Sequence, residues 1–217
     1  PKGYRIVTVV LGTVRRFALA LGFPEMHDER IMVEYWRAKL REEVKPIPPV
    51  EVERGPIQEN IQVGDEVDLW KFPSPKWHAL DGGRYIGTGD AVITKDPEEG
   101  WIDAGAFRVQ VHDRDTATIW MSGGKDADII RHKYWDKGQA CPAVVVPGID
   151  PLLFLVAGMR LPWGLSELDY AGGMRGKPIE VIKGRITGLP IPAAAEIALE
   201  GEIVPPEVEL RDEGPFG

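Results

Sequence analysis

The chain has a single cysteine, Cys141, so neither an internal disulfide nor a thiolate-cluster metal site is possible within it. A lone thiol also points to a reducing compartment, the cytoplasm. Basic charge is in deficit: 26 Lys and Arg stand against 34 Asp and Glu, a net charge of −8. A protein held to nucleic acid by phosphate contacts needs the opposite balance, so that class is set aside. No apolar run approaches the roughly 18 residues that span a bilayer. No basic stretch followed by an apolar core and a small-residue cleavage site marks a secretory signal. His27, His78, His112 and His132 have no i, i+4 partner and no cysteine nearby, which argues against zinc.

Glycine and proline are in excess. There are 25 and 19 of them, about a fifth of 217 residues against roughly 12% in an ordinary chain. Turns must be frequent and strands short. The length suits one large domain or one and a half, and a hydrophobic share of 43% supplies a real core. Pro1 stands without an initiator Met, and the end Glu213-Gly214-Pro215-Phe216-Gly217 is turn-rich. These termini are read as those of a fragment or of one subunit of a split enzyme.

Ile6 to Leu11 is β-branched and apolar and predicts a buried strand. Thr13 then caps a helix over Val14 to Leu21, with Gly22 as its stop. Asp28 caps a second helix over 29–43, and Pro46, Pro48 and Pro49 form a linker, so two segments are expected, 1–46 and 47–217. Beyond residue 51 the period changes to two. Strands are predicted at Val63 to Leu69, Ile86 to Thr94, Phe107 to His112, Thr116 to Met121, Ala143 to Val146, Ile179 to Ile186 and Ala193 to Leu199. Helices are expected at Asp126 to Lys137 and Pro151 to Ala157. The pattern predicts an α+β fold built on a partly closed β-barrel, preceded by a small strand-and-helix segment.

The motifs are weak when taken singly. Asp81-Gly82-Gly83 and Gly87-Thr88-Gly89 match no phosphate-binding fingerprint and read as hairpin turns. Cys141, ahead of a buried strand, reads as an inert core thiol. Arg108 sits in an alternating strand and shares a face with Gln110 and His112. Asp103, five residues earlier, falls on the opposite face unless a bulge intervenes. A guanidinium in such a place needs a carboxylate, and Glu167 and Glu213 are the candidates.

Five segments in register carry a resemblance. They are Asp81-Gly82-Gly83-Arg84-Tyr85-Ile86-Gly87-Thr88 with Thr94-Lys95-Asp96-Pro97-Glu98; Gly105-Ala106-Phe107-Arg108-Val109-Gln110-Val111; Ser166-Glu167-Leu168-Asp169-Tyr170-Ala171-Gly172-Gly173-Met174-Arg175-Gly176; Pro192 to Gly201; and Glu213 to Gly217. Together they resemble the UbiD-like decarboxylases over nearly all of residues 4–217. The resemblance implies a split β-barrel that binds prenylated flavin mononucleotide. It also implies reversible, non-oxidative decarboxylation of an aromatic or α,β-unsaturated acid. The resemblance implies members about twice this length, with a C-terminal oligomerisation domain that is expected to fall outside residues 1–217.

By position, Arg108 matches the arginine of the family's Glu–Arg–Glu/Asp network and Glu213 its first acid, so both are expected to be catalytic. The second acid would follow Gly217. The family holds a divalent metal (Mn2+ or Mg2+, with K+ as a further candidate) through Asn, His and Glu. Glu167 matches the Glu, Asp103 stands at the Asn, and no histidine lies near Ser122 to Asp126. The cofactor is expected among Asp103, Gly105, Ala106, Phe107 and Arg108, the turn at Ser122 and Lys125, the segment Gly158, Met159 and Arg160, and Glu167. Lys125 is a candidate to neutralise the cofactor phosphate. Implied partners are the small acid, a flavin prenyltransferase, and further copies or a second subunit. The alternatives are a flavin-reductase-like module and a non-catalytic subunit of a carboxylase complex.

Overall fold

The computed structural model describes residues 3–217; Pro1 and Lys2 lie outside them. Local capping chemistry sets the first helices. Helix α1 (Val14–Leu21) starts where Thr13 Oγ1 accepts from the Arg16 amide at 3.2 Å and stops at left-handed Gly22. Helix α2 (Glu29–Arg41) starts at Asp28, whose carboxylate accepts from the Arg30 and Ile31 amides. The predicted strand at Ile6 to Leu11 does not form. The segment is irregular, with Ile6 61% and Val7 71% exposed, because no neighbouring strand offers it a ladder.

The centre is an antiparallel five-stranded sheet, curled into a half-barrel, of strands β2 (Arg84–Lys95), β3 (Ile102–Val111), β4 (Ala117–Trp120), β5 (Cys141–Val146) and β8 (Leu199–Ile203). Their order is β4-β3-β2-β5-β8. A small second sheet joins β1 (Val50–Glu51), β6 (Glu180–Lys183) and β7 (Pro190–Pro192). Ala91, Ile93, Ala104, Val144 and Val146 fill one side of the large sheet against Ile191 and its neighbours. Val92, Val109 and Val145 fill the other side, with Ala127 of helix α3 (Asp126–Trp135). Helices α4 (Pro151–Ala157) and α5 (Glu167–Arg175) pack together on a third apolar cluster. No described helix is long and apolar enough to cross a membrane.

Several expectations are corrected. Val63 to Leu69 holds short 3-10 turns at Gly64–Glu66 and Leu69–Lys71; Gly64 takes φ +56° and Asp68 caps the second turn. Ala193 to Leu199 is a turn region, and the strand begins where that prediction ends, at Leu199. β6 stops at Lys183, since the Glu200 carboxylate takes the amides of Arg185, Ile186 and Thr187 into a loop. Gly87 to Gly89 is no hairpin turn. It lies inside β2, where the register against β3 shifts twice between Tyr85 and Asp90. Helix α5 was not anticipated. Its Gly172 and Gly173 are poor helix formers, but a Cβ on Gly172 would come 2.5 Å from the Ile47 carbonyl oxygen, so the linker needs glycine there.

Candidate active site

Strand β3 carries two groups of charged residues, and its two-residue period assigns them to opposite faces. Asp103, Gly105 and Phe107 lie on one face; Ala104, Ala106, Arg108 and Gln110 lie on the other.

On the Arg108 face two of the three guanidinium nitrogens are engaged. Nε and Nη2 each donate to Glu213, at 2.7 and 2.7 Å, a bidentate fork. The pair is sheltered, with 24% of the Arg108 side chain and 7% of the Glu213 side chain exposed, so Arg108 is half-buried rather than deeply buried. The carboxylate raises the Arg108 pKa further. Aromatic rings flank the cation: Trp120 lies 4.8 Å and Phe216 5.3 Å from its central carbon. Nη1 has no hydrogen-bond partner among the described residues.

The segment that delivers Glu213 is docked by backbone. The Gly82 amide donates to the Pro215 carbonyl at 2.8 Å and the Gly214 amide to Gln110 Oε1 at 2.9 Å. The Gly217 amide donates to Asp81 Oδ1 at 3.0 Å. A Cβ on Gly82 would overlap the Gly214 carbonyl, so this glycine is what permits the approach. Phe216 packs edge-on against Tyr85 and His78. Tyr85 is fully buried and donates to Gln110; burial, helped by Glu213, pushes its phenol up to about 12. Burial also raises Asp81, but the amides of Gly217, His78 and Trp77 and the His78 ring outweigh it and bring the carboxyl to about 2.

The Asp103 face has its own shape. At Ala104 the edge of β3 away from β2 is open, because β4 pairs only with Arg108 to Val111. Glu167, first residue of α5 after the Ser166 cap, fills that gap and accepts from the Ala104 amide at 2.8 Å. Asp103 lies beside it. Burial, then the charges of Glu167 and Asp126, hold Asp103 well above the usual carboxylate range. Burial also pushes Glu167 up to about 7, with Asp126 adding to the rise. Three buried oxygens on this face of β2 and β3 have no hydrogen-bond partner among the described residues: Asp90 Oδ2, Thr94 Oγ1 and Asp103 Oδ2. Asp90 is raised to about 7 by burial alone.

Buried carboxylates without partners are expensive, and a bound cation or a hydroxyl-bearing ligand would offset the cost. The donor set therefore fits a hard cation shared with a phosphorylated ligand. Two adjacent carboxylates are few for a protein cage, and the described residues hold no group of three His, Cys, Asp or Glu disposed to bind a metal. Magnesium-type sites commonly complete their shell with phosphate and water.

The remaining candidates are less tied in. Ser122 and Lys125 precede Asp126, which brings the α3 terminus to the acids. Gly158, Met159 and Arg160 follow α4. No side-chain hydrogen bond or ion pair joins Ser122, Lys125, Met159 or Arg160 to Asp103, Arg108 or Glu167 among the described residues. Lys125 and Arg160 are exposed and have no ion-pair partner there either. The sequence reading passed over Asp90, Asp126, Gln110, Trp120 and Phe216. Only Gln110 had a visible signal, its strand parity with Arg108. Cys141 is buried and its thiol is pushed up to about 12, an inert state.

The comparisons with known proteins agree with one another. Residues 49–217 match the family model described as UbiD, 3-octaprenyl-4-hydroxybenzoate carboxy-lyase Rift-related domain. A pyrrole-2-carboxylic acid decarboxylase of Pseudomonas aeruginosa is 40% identical over 202 residues, 93% of this chain and 40% of that protein. A phenolic acid decarboxylase of a Streptomyces species (strain D7) is 33% identical over 218 residues, 98% of this chain and 45% of that protein. The closed form of the vanillic acid decarboxylase of Sedimentibacter hydroxybenzoicus superposes with a TM-score of 0.87 at 29% identity, over 100% of this chain and 46% of that one. An evolved dimeric form of the UbiD-class enzyme HmfF from Pelotomaculum thermopropionicum, in complex with prenylated flavin, gives 0.81 at 29% identity, over 95% of this chain and 46% of that one. The chain thus spans less than half the length of each of these relatives. This chain belongs to the UbiD family.

Proposed function

We propose that the protein carrying this chain removes carbon dioxide reversibly and without net oxidation from an aromatic or α,β-unsaturated carboxylic acid. The chain would hold most of a prenylated flavin mononucleotide site. The observation that carries this reading is Arg108, clamped by Glu213 on two nitrogens and left with one unbonded nitrogen. Breaking the bond to the carboxylate carbon releases carbon dioxide and leaves an electron pair on the α carbon. A prenylated flavin, when bound, would supply a temporary acceptor for that pair, which then bonds a proton in place of the carboxylate.

The chain's own residues bind and orient. Arg108 Nη1 takes the substrate carboxylate. Glu213 fixes the guanidinium plane, and Tyr85 and Gln110 hold the Glu213 segment in place. On the other face, Asp103 and Glu167 hold a divalent cation, Mn2+ or Mg2+ (K+ in a larger shell), against the cofactor phosphate. Lys125 and Arg160 add positive charge there, Gly105, Phe107, Ser122, Gly158 and Met159 line the approach, and Ala106 lines the Arg108 face. The cofactor comes from a flavin prenyltransferase, and assembly is with further copies or a second subunit, in the cytoplasm.

The test uses the full-length, cofactor-loaded protein. Arg108→Ala and Glu213→Gln are each expected to lower carbon dioxide release about a thousandfold or more while flavin absorbance and affinity stay near those of the parent. Near-normal turnover in either variant overturns the reading. Oxidation of a nicotinamide donor without carbon dioxide release would replace it with a flavin-reductase function.

A further inference from the structure

Trp120 is the last residue of β4, the edge strand of the large sheet, and its register partner on β3 is Arg108. It stacks beside the guanidinium at 4.8 Å yet remains 49% exposed. Its indole Nε1 has no hydrogen-bond partner among the described residues. Part of the ring thus faces Arg108, while about half of the residue stays open to solvent.

A lone exposed tryptophan is ordinary. This one lies within a few ångströms of the cation assigned to the substrate carboxylate, with Phe216 also beside that cation. A flat acid whose carboxylate meets Nη1 has its ring within reach of the exposed part of an indole that lies 4.8 Å from the same guanidinium. Ring-on-indole packing is favourable in offset or edge geometry. A short aliphatic acid has no ring to place there.

We propose that Trp120 is a specificity-determining residue that forms the aryl wall of the acid site and favours aromatic and heteroaromatic acids over short alkenoic ones. The inference rests on the decarboxylase reading above, since it takes Arg108 as the carboxylate anchor. It does not depend on the identity of the cation. A residue that only braced Arg108 would, when removed, weaken every carboxylate equally. An aryl wall, when removed, weakens only acids with rings.

The experiment measures dissociation constants by calorimetry on the holoenzyme with two probes, benzoate and but-2-enoate. In Trp120→Ala the benzoate constant is expected to rise about tenfold, while that of but-2-enoate changes less than twofold. Trp120→Phe is expected to recover most of the benzoate affinity and guards against a folding defect in the alanine variant. Equal weakening of both probes, or no change in either, overturns the role of Trp120. If Arg108→Ala binds both probes as the parent does, the anchor itself fails and the decarboxylase reading falls with it.

Discussion

At the Arg108 end of β3 the charges are matched within the protein, whereas at the Asp103 end Asp103, Glu167 and Asp126 have no counter-ion among the described residues. The two regions are five residues apart on one strand. In the first, a guanidinium and a carboxylate satisfy one another at 2.7 Å between two flanking rings, and one nitrogen, Nη1, is left over. In the second, burial opposes ionisation, and three oxygens go unpartnered along the same face. A finished ion pair makes a rigid, preorganised anchor. An unfinished acid cluster stores a cost that a ligand relieves on binding. On the proposed function, the contrast separates residues that orient the acid from residues that would receive a cation.

The sharpest way to test the unfinished side is Asp90, raised to about 7 by burial. Its unfolded value is near 3.9. Between those pH values the unfolded chain releases a proton that the native protein keeps, so stability falls as pH rises from about 4 to 7 and stays low above. The contribution is about 1.4 kcal/mol per pH unit, on the order of 4 kcal/mol in all. Asp90→Asn removes that share, so the variant is expected to be more stable than the parent at pH 8 and close to it at pH 4. Urea unfolding at the two pH values checks this. Parallel pH slopes in parent and variant would show that Asp90 is already compensated.

The finished side is tested through Gly82, whose missing Cβ admits the Gly214 carbonyl. Gly82→Ala must push the 213–217 segment off Arg108. About 3 kcal/mol of stability is expected to go with the lost pairing. The decisive measurement is a cycle with Glu213→Gln. If both act by breaking one docked unit, the double variant is no worse than the poorer single one. Additive losses would mean that Gly82 supports something other than the ion pair.

How much of this was legible follows from what each feature depends on. Helix starts at Thr13, Asp28 and Asp150 are local hydrogen bonds, and each could be read from a few adjacent residues. Ile6 to Leu11 has strand composition, but strand formation needs a partner, and none is adjacent. Helix α5 was hidden because Gly172 and Gly173 are spent on admitting the 44–47 linker, a contact invisible to propensity. Arg108 and Glu213 are 105 positions apart; the need of a strand guanidinium for a carboxylate left Glu213 as one of two candidates, the family resemblance singled it out, and the structure joins them in one ion pair. Parity alone did place Asp103 and Arg108 on opposite faces, and β3 keeps that period because the bulges fall in β2. Trp120 opposite Arg108 is a matter of register, which one strand cannot announce.

The smallest expected effect decides whether the two regions are independent. Ser166 caps α5 and its hydroxyl accepts from the Leu168 amide at 3.3 Å, a long bond, so Ser166→Ala is expected to cost about 1 kcal/mol or less. Loosening the first turn of α5 loosens Glu167, which sits at its first position and closes the open edge at Ala104. Manganese affinity of the flavin-loaded protein, read by calorimetry, is therefore expected to fall severalfold. The Arg108 anchor is fixed by Glu213 and by rings on β4 and the 213–217 segment, none of which touches α5 through a side-chain hydrogen bond. Benzoate affinity is accordingly expected to stay within twofold of the parent. A parallel loss in both constants would mean that β3 transmits strain between its faces, and the division between an orienting side and a charge-accepting side would have to be given up.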